Sequence, residues 1–165
     1  MSRTRQFQQR GKPVQVQEVG DLFAVRTGLV TKALGPDALV KAVPGLSKPA
    51  VDAFRDAGWE FVRSPEPPAG LPAAKLYVKS GGRPVLGTNR LTVKLTPDLE
   101  PADAEALLAR HGGKVIDRLK FAPNLYQVAV DLPAGKDALD VATELTTDPA
   151  VEFAEPEFLE ILARR

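Results

Sequence analysis

Cysteine is absent from this 165-residue chain, and histidine and tryptophan occur once each. Without cysteine there is no disulfide framework and no thiolate zinc site, although its absence alone does not fix the redox compartment. The single histidine, His111, leaves a serine nucleophile only one position from which a base could act. No loop carries the ligand spacing of a calcium or magnesium site, so no metal or other cofactor is expected. The glycine pairs at 81–82 and 112–113 lack the Lys-Ser/Thr or GxGxxG context of a phosphate loop. Long apolar runs are missing too. No segment can span a bilayer, and no apolar stretch of a secretion signal follows the basic start, so the chain as it stands is expected to be soluble and cytoplasmic. Charge of one sign is also lacking: 22 basic residues face 21 acidic ones, which removes a general electrostatic case for nucleic acid.

A hydrophobic share of 44% is enough for a packed core, in one ordinary domain or two small ones. Charge is unevenly placed. Arg3, Arg5, Arg10 and Lys12 make a basic start, read as a flexible terminus over residues 1–12, whereas Lys136 is the only basic residue between Asp131 and Glu160. Closely spaced prolines over 64–72 exclude helix and deny donors to a sheet, marking a linker or long loop. A second break over 80–84 reads as a turn, and the domain boundary is expected there.

The second half has the clearest periodicity. Leu91, Val93 and Leu95 alternate with Thr92 and Lys94 as a half-buried strand should. Ala104, Leu107 and Leu108 share a helical face that Gly112 can close with a left-handed cap, and His111 at that helix end suits a structural or helix-dipole role. Strands follow over 114–116 and 125–130. A second helix places Ala138, Val141, Ala142 and Leu145 on one face, Asp148-Pro149 stops it, and a strand over 151–157 ends the series. This β-α-β-β-α-β order predicts an α+β fold, a ferredoxin-like sandwich with two helices on one face of an antiparallel sheet. A smaller, related α/β unit is expected over 13–80. Its segments echo the second half: Gly11 to Val14 resembles Gly82 to Val85, and 50–62 resembles 104–116, consistent with a divergent, incomplete duplication or with two ordinary α/β units of similar order.

Residues 84–165 resemble the propeptide domain of subtilisin-like serine proteases, most closely from Leu145 to Phe158, where a helix, an Asp-Pro stop and a Val-Glu-x-Ala-Glu-Pro strand follow one another. The resemblance implies a non-catalytic inhibitor and folding chaperone whose partner is a subtilisin-like catalytic domain, in the same precursor or on a separate chain. It implies that the sheet packs on two helices of the protease, with Glu155 and Glu157 of the last strand capping them. It also implies that the tail after the domain, 159–165 following a domain over 84–158, lies extended in the substrate cleft. Phe158, Leu159, Leu162 and Arg165 would contact the protease, Arg165 filling the innermost pocket if it is the cleavage end. Secretion replaces the cytoplasmic expectation if the chain is an excised propeptide.

Other readings stay open on the residues alone. Glu155 and Glu157 two apart on a strand share a face and also suit plain solvation or an acid/base pair. A short amphipathic helix over 157–164 competes with an extended tail. A structural or dimerisation module predicts apolar residues on the open sheet face, and an RNA-binding sheet needs exposed aromatics, for which Tyr126 is the candidate.

Overall fold

The computed structural model describes residues 2–28, 33–43, 45–66, 68, 73–79, 82–131 and 136–160. Among them the chain is α+β. Its strands are β1 (Ser2–Gln9), β2 (Lys12–Arg26), β3 (Trp59–Arg63), β4 (Ala74–Lys79), β5 (Arg83–Leu95), β6 (Gly113–Arg118), β7 (Leu125–Val130) and β8 (Val151–Leu159). Its helices are α1 (Pro36–Ala42), α2 (Lys48–Asp56), α3 (Pro101–Arg110) and α4 (Ala138–Leu145). The chain divides into two compact units. Unit 1 comprises Met1–Gln6, Gln15–Gly87 and Phe158–Arg165, and unit 2 comprises Phe7–Val14 and Thr88–Glu157.

Unit 2 has the strand order β8-β5-β7-β6, with antiparallel pairing of β5 to β7 and of β7 to β6. That spatial order is compatible with the ferredoxin-like sandwich expected from the β-α-β-β-α-β order along the chain. Leu91, Val93 and Leu95 of β5, Tyr126, Val128 and Val130 of β7, and Val151 and Ala154 of β8 form one apolar cluster with the helices. The helices contribute the predicted stripes: Ala104, Leu107 and Leu108 from α3, and Ala138, Val141, Ala142 and Leu145 from α4. Gly112 has φ +79°, the left-handed turn that closes α3.

Asp137 starts α4 through a reciprocal cap. Its Oδ1 accepts the Leu139 and Asp140 backbone N–H groups at 3.1 and 3.3 Å, while Asp140 Oδ2 accepts the Asp137 N–H at 3.0 Å. Asp137→Ala is expected to lower the unfolding free energy by about 1 kcal/mol, read as a shifted urea midpoint at unchanged slope.

Asn124 organises the loops at one end of unit 2. It is buried at φ +53°; its Nδ2 donates to the Thr96 and Leu99 carbonyls at 2.8 Å each, and its Oδ1 accepts the Tyr126 hydroxyl at 3.0 Å. Nothing in a lone asparagine after a proline announces such a role.

In unit 1, β2 pairs antiparallel with both β3 and β4, from Leu22↔Arg63 to Arg26↔Trp59 on one side and from Val16↔Lys79 to Ala24↔Ala74 on the other. Leu22, Ala24, Leu39, Val51, Phe54, Phe61, Leu76 and Val78 lie in its core. The hydrogen bond to Asp37, and then its charge, raise the Lys48 ammonium above the ordinary lysine value, and the pair ties the starts of α1 and α2 across 3.1 Å.

Several expectations change here. The echo between the halves does not carry to equivalent topology: β3 pairs with β2, whereas its sequence counterpart β6 pairs with β7. The tight turn at Gly58, whose carbonyl accepts the Thr27 N–H at 2.8 Å, returns the chain beside β2. The basic start is not a frayed terminus. Residues 2–9 form β1, hairpinned to β2 through Arg10 and Gly11 at φ 52° and 76°. Buried Glu18 holds Arg3 and Arg5 at 3.0 Å each and Lys75 at 3.4 Å, an interaction that alternation of apolar residues cannot reveal. The break at 80–84 is the turn between paired strands β4 and β5, with residues 80 and 81 outside the described set, and the division between units falls within β5. Of the proline-rich stretch, residues 64–66 and 68 carry neither helix nor strand, and the others lie outside the described residues.

Candidate functional site

The face of the unit 2 sheet opposite its helices is set by strand alternation. With Leu91, Val93 and Val128 turned to the helices, Arg90, Thr92 and Lys94 of β5 and Gln127 and Ala129 of β7 turn away. On β8, Ala154 and Pro156 are buried, so Glu155 and Glu157 occupy this open face, both partly exposed. The structure thus brings together the two carboxylates singled out from the sequence.

Each carboxylate is already engaged at one oxygen. Glu155 Oε1 accepts the Arg10 backbone N–H at 2.7 Å, and Glu157 Oε1 accepts Gln127 Nε2 at 3.1 Å. The Glu157 carbonyl accepts the Thr88 hydroxyl at 2.7 Å, which fixes the strand where the side chain departs. Lys94 pairs with Glu152 at 3.1 Å on the same side. A carboxylate has about four acceptor positions, so one N–H leaves room for further donors. Arg10 and Gln127 were not legible as partners, because each meets its glutamate through long-range pairing.

Other candidates resolve differently. Tyr126 is 2% exposed, which removes the stacking platform an RNA-binding sheet requires. His111 caps α3, with Nδ1 3.5 Å from Glu144 Oε2 at the end of α4, a position suited to joining two helix ends. An open cavity of about 500 Å³ between residues 97–101 and 118–124 is lined by Asp98, Glu100, Arg118 and Phe121 among others, and holds no serine or histidine. Among the described residues no group of three or more histidine, cysteine or acidic side chains could hold a metal ion, and no helix is long and apolar enough to cross a membrane. Among the described residues two large apolar side chains are exposed: Ile116, at a register shift in β6, and Phe121, in the loop before β7.

At the C-terminal end, Phe158 and Leu159 finish β8, which excludes a helix beginning at 157. Phe158 packs edge-on to Tyr77, and Leu159 packs against the unit 1 core. Leu162 and Arg165 lie outside the described residues.

A family model for the fervidolysin N-terminal prodomain matches residues 74–157, just over half of the chain. The match runs from the first residue of β4 into β8, beginning before the expected 84 and stopping short of Phe158. No curated protein and no solved structure compared with the sequence matches it.

Proposed function

The chain belongs to the fervidolysin N-terminal prodomain family, a propeptide of subtilisin-like proteases, and from that premise we propose that it folds against and inhibits such a protease. The partner is a subtilisin-like catalytic domain, carried in the same precursor or made separately. The open face of unit 2 docks on the protease and assists its folding, while the residues after Glu160 enter the substrate cleft and bring Leu162 and Arg165 to its pockets.

One observation carries this reading: Glu155 and Glu157 project together from a helix-free sheet face whose other occupants on β5 and β7 are the polar Arg90, Thr92, Lys94 and Gln127 and the small Ala129. Helix N-termini present unpaired N–H groups and a positive dipole end, which favours such carboxylates. Glu155 already binds a backbone N–H, that of Arg10, so the chemistry it offers a helix end is the chemistry it uses internally. A dimerisation surface calls for a more apolar face than this.

The test isolates the sheet face by filling the protease cleft with a covalent peptide inhibitor and measuring binding by calorimetry. With about 0.3–1 kcal/mol expected per carboxylate, the double variant Glu155→Gln/Glu157→Gln should bind about 3- to 30-fold more weakly. An unchanged Kd would remove the two carboxylates from the docking account.

A further inference from the structure

We propose that Tyr77, Lys79 and Arg83 are positioning residues for the inhibitory tail, clasping residues 158–160 so that each downstream residue meets a fixed pocket of the protease. The inference rests on the proposed entry of the tail into the cleft. The family match ends at Glu157, and each of the next three residues is held within unit 1. The Phe158 ring meets the fully buried Tyr77 ring edge-on, with centroids 5.4 Å apart. Leu159 packs against the cluster that contains Leu76 and Val78. Glu160 bridges Lys79 Nζ through Oε2 and an Arg83 guanidinium nitrogen through Oε1, both at 3.2 Å.

These contacts follow the two-residue period of a strand. Tyr77 and Lys79 share one face of β4 and receive Phe158 and Glu160, whereas Leu76 and Val78 on the other face belong with Leu159. A slip of one residue would turn the Glu160 carboxylate onto the apolar cluster and Leu159 onto Lys79, so the register is pinned. The Lys79 side chain is 16% exposed and that of Glu160 27%, so this pair is screened by water less than an open surface pair. From such an anchor Leu162 lies at most about 7 Å away along the chain and Arg165 about 18 Å. Holding the anchor before binding removes part of the ordering cost of placing the tail.

The test uses Glu160→Arg in the full chain, with two readouts on one subtilisin-like protease. Inhibition of the free protease should weaken about tenfold or more, while Kd for the cleft-filled protease should change less than twofold. Adding Lys79→Glu and Arg83→Glu to that variant should restore inhibition to within about threefold of the wild type. Unchanged inhibition by Glu160→Arg overturns the proposal. So does an equal loss in both readouts, which marks a merely structural role. A wild-type chain that binds the cleft-filled protease but does not inhibit the free one overturns the tail reading itself, and the clasp with it.

Discussion

Ending the chain after Glu160 is expected to raise its inhibition constant against a subtilisin-like protease by about 100-fold, equivalent to about 2.7 kcal/mol. In the proposed complex the tail would add main-chain hydrogen bonds along the cleft and side chains in alternate pockets, the usual terms of strand-like peptide recognition. Cutting after Glu160 rather than before Leu159 matters, because Leu159 packs in the unit 1 core and Glu160 holds Lys79 and Arg83. The shorter chain should therefore keep its far-ultraviolet circular dichroism and its affinity for a cleft-filled protease. Inhibition within threefold of the intact chain would leave the tail no place in the mechanism.

Gly82→Ala should be the most damaging single methyl group in unit 1, lowering stability by about 3 kcal/mol or more. Gly82 has φ +79°, and an added Cβ would lie 1.7 Å from the Gly45 carbonyl oxygen and 2.9 Å from its carbon. Those atoms are backbone, so relief requires moving the segment that also bonds Ser47 N–H to the Gly82 carbonyl at 3.0 Å. Gly11 supplies the control. Its φ of +76° is nearly the same, but nothing lies within 4 Å of its Cβ position, so Gly11→Ala should cost only the backbone term, about 1 kcal/mol. Urea unfolding of the two variants separates clash from conformation, and equal losses would contradict the close approach of Gly82 to Gly45. Because Arg83 follows directly, this turn also sets one arm of the clasp on Glu160.

Unit 2 was legible because its burial follows simple periods. Leu91, Val93 and Leu95 alternate, Ala138, Val141, Ala142 and Leu145 form a stripe, and Pro149 bars α4 from running on past Asp148. The shared face of Glu155 and Glu157 follows from the same alternation. What escaped reading depends on partners distant in sequence. Phe7 is the one large apolar residue of β1, and that strand's arginines reveal their role only beside Glu18. Seven-residue α1 buries Leu39 alone, too little for a helical stripe. The shift at Ile116 breaks the alternation of β6, and β8 continues past Glu157 because Tyr77 and the unit 1 core receive Phe158 and Leu159.

In the proposed function this chain blocks a subtilisin-like protease without sharing in its chemistry, by docking a sheet face and filling a cleft. Hydrolysis of a short peptide substrate, followed while the intact chain is titrated in, tests it most directly. Competitive inhibition is expected, with apparent KM rising linearly with chain concentration and kcat unchanged. Unaltered hydrolysis at large excess across several such proteases, with the chain intact throughout, would contradict it.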